Sequence, residues 1–290
     1  MNYVQLAKPR SVLLLLVTAV AGMVVASPGL PAAYPLLFAI LAGALAAGGA
    51  NALNCYLDRD LDSRMARTAG RPLARGMVQP AGALLFGIAL CVASVLVFGL
   101  FVNWLSAGLA AFGAFYYVVV YTLWLKRSSH WNVVVGGIAG CMPLLVGSAA
   151  GTGHLAPLAV WLGIVVLLWT PPHFWSLALL RTREYSLAGI PMLPVVKGRE
   201  ATRRQILGYS VALFLSTLLL VPAGFAGLGF LVVALTLGAA LLSFAIRLWV
   251  SGSDPDARRL YGYSIVYLAI LFSAIIIDRA SGWIGLIGIA

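Results

Sequence analysis

The sequence predicts an all-α polytopic membrane bundle: nine transmembrane helices around a central cavity, with the N-terminus cytoplasmic and the C-terminus outside. Three observations predict it. Of 290 residues, 62% are hydrophobic and 9% charged, whereas soluble domains are nearer half apolar and a quarter charged. Mean hydropathy is +1.01. The apolar residues come in continuous runs of roughly 20, the helix length that crosses about 30 Å of hydrocarbon, and not in the alternating ten-residue strands of a membrane barrel.

In chain order the spans are expected near 11–27, 35–55, 81–101, 104–123, 132–150, 157–179, 208–225, 228–248 and 262–279. The first follows Lys8 and Arg10 and superficially looks like a signal peptide. It has no small-x-small site in a polar context and many spans follow, so it reads as a retained span. The second ends in an acidic cluster. The sixth carries Pro171-Pro172, which is expected to break the helix ladder at His173, a break tolerated where freed backbone groups face a cavity. The last is interrupted by Asp278 and Arg279. No soluble domain or long linker intervenes, so residues 1–290 read as a single integral membrane domain. Cys55, Cys91 and Cys141 stand singly in or beside apolar runs, with neither metal spacing nor a disulfide framework, and read as small core hydrophobes.

Charge sets the orientation. The connections after spans two, four, six and eight, with the N-terminal segment, hold 18 of the 19 lysines and arginines; only Arg279 falls on the other side. The positive-inside rule places that basic side in the cytoplasm. Seven of the eight acids lie there too. Acids contribute little to topology, so chemistry on the cytoplasmic face is the better reason for their position. Most of the net charge of +11 follows from topology and attraction to anionic lipid. Nucleic-acid binding is excluded, because no recognisable module accompanies the basic residues.

The most informative stretch runs from Asn54 to Arg75. Asn54, Asp58 and Asp62 are four residues apart, so on a helix they advance about 40° per step and share a face. Two carboxylates at that spacing repel; a divalent cation between them reverses the sign. Interleaved Arg59, Arg64, Arg67, Arg71 and Arg75 supply charge for an anion, and Mg²⁺ holding a diphosphate suits both halves of the pattern. The plain alternative is a solvated helix end with Asp58–Arg59 and Asp62–Arg64 pairs, but it leaves Asn54 as an unexplained amide in an apolar run. Asp60 points to the opposite side and is better cast as an arginine partner than a ligand.

Two further polar segments lie on the same side. Tyr121-Thr-Leu-Trp124-Leu-Lys126-Arg127 leads to Asn132, an amide opening an apolar span; its basic pair either anchors the span beside interfacial tryptophans or binds diphosphate. Thr170-Pro171-Pro172-His173-Phe174-Trp175 leads through Arg183-Glu184-Tyr185 to Gly189-Ile190-Pro191-Met192-Leu193-Pro194. This last run cannot be regular helix and is expected to form a rigid turn or hydrophobic lid. His130 is a loop residue, and His154 falls on the opposite side of the membrane.

Asn54-x-x-x-Asp58-x-x-x-Asp62 with Arg67-x-x-x-Arg71-Pro72 resembles the first aspartate motif of the UbiA superfamily of intramembrane prenyltransferases. The Tyr121–Arg127, Thr170–Ala178 and Tyr185–Val195 segments resemble its heme O synthase (protoheme IX farnesyltransferase) branch. The resemblance implies transfer of a farnesyl group from farnesyl diphosphate to the 2-vinyl group of heme B, with addition of water, giving heme O and diphosphate. It implies Mg²⁺ as cofactor, held by Asn54, Asp58, Asp62 and Glu184, with Tyr185 in the second motif. Arg67, Arg71, Lys126, Arg127 and Asn132 carry over as diphosphate partners, and His173 as a contact to heme. Tyr56, Phe174 and Trp175 are candidates for lining the path of an allylic cation. The superfamily commonly has two aspartates where this chain has Arg183-Glu184, which implies one ligand there instead of two. The setting implied is a cell membrane with the site facing the cytoplasm and membrane lipid around it. A heme A synthase or terminal oxidase is the assembly partner such a product suggests.

Two other readings remain at this point. A quinone-precursor aromatic prenyltransferase uses the same chemistry, but Pro171-Pro172-His173 and Gly189-Ile190-Pro191 favour heme. A transporter places its acids near the midplane, often in related halves; here they cluster at one face and no internal repeat is visible.

Overall fold

The computed structural model describes residues 2–27 and 29–280. Every regular element among them is helical. Among the described residues eight helices are long and apolar enough to cross a membrane: Pro9–Ala26, Ala33–Leu57, Pro80–Phe101, Trp104–Ser128, Asn132–Thr152, Pro157–Leu180, Leu228–Ser251 and Asp254–Arg279. The span expected at 208–225 falls instead on the helix Gly198–Leu218. Its first turns carry Arg199, Glu200, Arg203 and Arg204, so only its second half is apolar, and residues after Leu218 turn out of the helix. The helix expected at 262–279 begins eight residues earlier, at Asp254. The C-terminus itself, expected outside, lies beyond the described residues.

Pro171 and Pro172 do not break the sixth span. The helix runs unbroken from Pro157 to Leu180. Flanking hydroxyls back-bond to helix carbonyls, Thr170 donating to that of Val166 at 2.8 Å and Ser176 to that of Pro172 at 2.6 Å, but neither is a carbonyl that the prolines leave without its N–H partner; those are at Leu167 and Leu168.

The described residues form two compact units, one reaching to Val160 and taking in Arg183–Pro191, the other comprising Trp161–Thr182 and the chain from Met192. In the first, Ala33–Leu57 packs along Pro80–Phe101, and Pro9–Ala26 packs along Ile138–Thr152. Without water to drive association, membrane helices pack best where small residues bring backbones together. A Cβ on Gly22 would collide with the Leu144 carbonyl, and one on Gly147 with that of Ala19. Phe98 fills the space among Ala42, Ala107, Ala110 and Val146.

In the second unit, Leu228–Ser251 packs against both Gly198–Leu218 and Asp254–Ala280. The one acid off the basic side has a structural task. Asp278 is buried and accepts a 2.8 Å hydrogen bond from the backbone N–H of Gly227, the N-cap of Leu228–Ser251, where a carboxylate suits the positive end of the helix.

Candidate active site

Ala33–Leu57 ends at Asp58, whose φ of −89° and ψ of 4° make a joint before the short helix Arg59–Arg64. The joint keeps the helical register. Asp58 N–H donates to the Asn54 carbonyl at 2.9 Å, and Asp62 N–H to the Asp58 carbonyl at 2.7 Å. Asn54, Asp58 and Asp62 therefore stay on one face, as their spacing predicts, and all three are buried. Asp60 points away and its side chain is 49% exposed.

Buried carboxylates need partners, and these come from far along the chain. Lys126 Nζ donates to Asp58 Oδ2 at 2.5 Å. Arg71 Nη1 straddles Asp62, at 2.7 Å from Oδ1 and 2.6 Å from Oδ2. Arg127 forks onto Asp60 at 2.7 and 2.9 Å and lies 3.8 Å from Asp58 Oδ1. It holds the Asp60 carboxyl down at about 2, chiefly through that hydrogen bond. The neighbouring pairs of a solvated helix end, Asp58–Arg59 and Asp62–Arg64, do not form. Arg59 instead donates to the Tyr56 carbonyl, and its guanidinium sits 4.6 Å above the Tyr56 ring.

Asn54 is engaged at both ends of its amide. Its amide nitrogen donates to Asp58 Oδ2 at 2.8 Å and to Thr122 Oγ1 at 3.0 Å, and its oxygen accepts from Lys8 Nζ at 2.7 Å. Thr122 stands in a π-helical stretch, Tyr116–Leu125, and its hydroxyl donates to the carbonyl of Tyr117, five residues back. Such stretches are rare and recur at functional sites. This one feeds Thr122 to Asn54 and Lys126 and Arg127 to the aspartates.

Lys8, Thr122 and the π-turn escape sequence reasoning. Lys8 counts there only as topological charge, yet among the described residues it is the one non-glycine with positive φ, at 53°. That conformation, directly before Pro9, turns its side chain inward to Asn54. Burial pushes the Lys8 ammonium down to about 8. Asn51 gives the second link to the same segment, donating to the Ala7 carbonyl at 3.0 Å; amides at 51 and 54 in an apolar run were the available signal.

Arg67 is exposed. Asn132 is 1% exposed, and neither its amide nitrogen nor its oxygen has a hydrogen-bond partner among the described residues. Glu184 and Tyr185 are half-buried on the short helix Thr182–Leu187. Tyr185 belongs to the first unit and lies close enough to Tyr121 for the two phenols to interact, while Tyr121 also feels Asp58. Ile190, Met192 and Leu193 of the expected lid are buried rather than turned to water, and Gly189 makes the turn with φ 71°. Phe174 is exposed and Trp175 buried.

His173 belongs to the second unit, buried in the unbroken helix. Its Nδ1 lies 2.8 Å from Ser264 Oγ.

Among the described residues no three His, Cys, Asp or Glu side chains stand close enough to form a metal cluster by themselves. The donors of the Asn54–Asp62 face are nevertheless all oxygens, the set that suits Mg²⁺ bound partly through substrate phosphates. Asp58 Oδ1 is buried without a hydrogen-bond partner among the described residues, so one ligand atom of the right kind is uncommitted. The residues fit such an ion.

Comparison with known proteins agrees with this geometry. A family described as the UbiA prenyltransferase family matches residues 15–276. A relative from Frankia alni named protoheme IX farnesyltransferase is 49% identical over 276 residues, covering 94% of this chain and 96% of that one. One of the same name from Roseiflexus sp. is 46% identical over 278 residues, covering 96% of this chain but 52% of the relative. The chain thus spans about half the length of the Roseiflexus relatives it matches. Among solved structures, one described as digeranylgeranylglyceryl phosphate synthase superposes with a TM-score of 0.83 at 16% identity, covering 97% of this chain and 98% of that one. A UbiA homolog from Archaeoglobus fulgidus bound to GPP and Mg²⁺ gives 0.68 at 16% identity, covering 95% and 99%. These last two likenesses concern the fold. With helices, acidic face and family match in agreement, the chain is a multi-pass membrane protein that belongs to the UbiA prenyltransferase family.

Proposed function

We propose that this chain transfers a farnesyl group from farnesyl diphosphate to the 2-vinyl group of heme B, with addition of water, giving heme O and diphosphate. The observation that carries the reading is the buried Asn54–Asp58–Asp62 face ringed by Lys8, Arg71, Lys126 and Arg127. Similarity to protoheme IX farnesyltransferases over most of the chain supports heme as acceptor. The single match from 15 to 276 supports one prenyltransferase domain.

In this reading Lys126, Arg127 and Arg71 bind the diphosphate and stabilise the charge that builds on it as the allylic C–O bond breaks. Cations already held in place do this without reorganising. Lys8 and Thr122 hold the Asn54 amide, which holds Asp58. Arg67 and Asn132 complete the substrate contacts, Asn132 with an amide that has no other partner among the described residues. Mg²⁺, held by Asp58 and Asp62 with Asn54 and Glu184, supplies Lewis-acid stabilisation of the leaving diphosphate when bound. The vinyl π-electrons form the new C–C bond, water adds to the resulting cation, and a proton is released. Tyr185 lies within electrostatic reach of Tyr121, and His173 contacts the heme.

We further read Gly198–Leu218 as a ninth span, which puts the N-terminus and the basic connections in the cytoplasm, the C-terminus outside, and the site at the cytoplasmic face of the cell membrane. A heme A synthase or terminal oxidase is the partner this product suggests. The test is direct. Membranes from a host lacking its own heme O source, with and without this chain, are extracted and their hemes resolved; heme O or heme A should appear only with the chain. Purified chain given farnesyl diphosphate, Mg²⁺ and heme B that yields no farnesylated heme, but prenylates a quinone precursor, overturns the reading.

A further inference from the structure

We propose that Ser264 is a positioning residue that fixes the His173 imidazole in the tautomer with its proton on Nδ1, presenting the Nε2 lone pair as a ligand to the iron of the heme substrate. The iron half of this inference rests on heme being the acceptor; the tautomer half does not.

Hydrogen-bond counting carries it. Ser264 has one hydroxyl hydrogen. That hydroxyl donates at 2.7 Å to the carbonyl of Tyr261, a group that can only accept. With its hydrogen committed, Ser264 Oγ meets His173 Nδ1 at 2.8 Å as an acceptor, so Nδ1 carries the proton. A neutral imidazole then has its free lone pair on Nε2, and no hydrogen bond to Nε2 is found among the described residues. Ser264 is itself pinned, since its backbone carbonyl accepts from Trp169 Nε1 at 2.7 Å.

Packing fixes the ring as firmly. His173 lies between Trp169, at 4.3 Å and 18°, and Tyr261, at 4.7 Å and 27°, with Phe174 edge-on at 5.2 Å. Both ring faces are covered and the Nδ1 edge is used, so Nε2 is the one polar edge left. A histidine kept only for packing needs none of this. A metal-ligating histidine characteristically donates its other N–H to a fixed acceptor, which sets tautomer and ring orientation together. All five residues lie in the same compact unit.

The chain has three histidines, His130, His154 and His173, so ¹⁵N-histidine NMR of the full protein in lipid nanodiscs is tractable, with His173→Gln identifying the signals. The expected wild-type signature is an Nδ1–H, Nε2-lone-pair imidazole, partly lost in Ser264→Ala and regained in Ser264→Thr. Titration with ferric heme should give a nitrogen-ligated Soret band and electron paramagnetic resonance spectrum that disappear in His173→Gln. Ser264→Ala should bind heme about tenfold more weakly, the low end for loss of a ligand's hydrogen-bond partner. An Nε2–H tautomer in the wild type overturns the proposal, and so does a heme spectrum unchanged in His173→Gln; neither needs the serine variants to fold. Farnesyl transfer on the same samples separates the two claims. Heme bound through His173 but never prenylated sinks the reaction and leaves the ligand standing. Heme O made with an unligated His173 does the reverse.

Discussion

Replacing Asp58 with Asn keeps the side chain's volume and one carbonyl oxygen while removing the charge. The Asp58 side chain is 1% exposed and meets Lys126 at 2.5 Å, the Asn54 amide at 2.8 Å and Arg127 at 3.8 Å. Breaking a buried ion pair by removing one partner costs about 3–5 kcal/mol, because it strands the other charge. Lys126 is 15% exposed and can turn toward solvent, so the lower end, about 3 kcal/mol of stability, is expected. Losing one pre-organised electrostatic element at a developing anion costs about 10²–10³-fold in turnover. The measurements are thermal unfolding of the purified protein, single-turnover farnesyl transfer, and the Mg²⁺ concentration giving half-maximal rate. If Asp58 is a ligand, that Mg²⁺ midpoint rises; if it only holds Lys126, the midpoint stays while the rate falls. Lys126→Met and the double variant complete a cycle, with strong non-additivity expected for residues in contact. Turnover within threefold of wild type at an unchanged Mg²⁺ midpoint would refute the assignment.

Three other perturbations probe different parts of the chain. Glu184→Gln should raise the Mg²⁺ requirement or slow transfer, and an unchanged titration returns Glu184 to a surface role. Asp60→Asn should leave turnover near wild type and cost less than about 1 kcal/mol, since both members of the Asp60–Arg127 pair are substantially exposed. Because Arg127 lowers the Asp60 carboxyl from 3.8 to about 2, that small contribution is present above the unfolded value and lost as pH falls through about 2; a melting difference that instead grows below pH 2 contradicts it. Gly147→Val should destabilise the packing of Pro9–Ala26 against Ile138–Thr152 by about 1–3 kcal/mol or more, because even a Cβ there collides with the Ala19 carbonyl. A Gly147→Val melting point equal to wild type removes the close-approach argument.

What the sequence made legible was whatever rests on run length and on spacing within one element. Eight of the expected spans appear at nearly their expected places because about 20 apolar residues have few alternatives in a membrane. Asn54, Asp58 and Asp62 share a face because a 3.6-residue period is local. Most of the failures were non-local. No rule of adjacency pairs Asp58 with Lys126, 68 positions away, over the neighbouring Arg59. The expected break at Pro171-Pro172 was a sound local inference, yet the helix runs from Pro157 to Leu180 through the pair. Lys8 was invisible because its contribution depends on one backbone angle. Ser264 reads as an ordinary small residue in an apolar span until Trp169, His173 and Tyr261 are placed around it.

The pairing pattern also bears on why charges are buried here at all. Replacing a buried ion pair with well-packed apolar residues is often neutral or stabilising, so stability alone does not explain two of them side by side. Three cations, Arg71, Lys126 and Arg127, pair with three carboxylates, Asp58, Asp60 and Asp62, and a fourth cation, Lys8, joins them only through the neutral Asn54 amide. The surplus is one positive charge, and a divalent cation on the aspartates raises it to three. Such a site is underfilled by its own acids and suited to a ligand carrying several negative charges on adjacent oxygens. Lys126 and Arg127 arrive from one segment and Arg71 from another, so a diphosphate reaching this face can draw cations from both sides while the Asn54 network holds Asp58 in place. An ion-pair cluster kept for rigidity would have been closer to neutral. The excess of cations over acids is therefore better explained by a recurring anionic ligand than by folding.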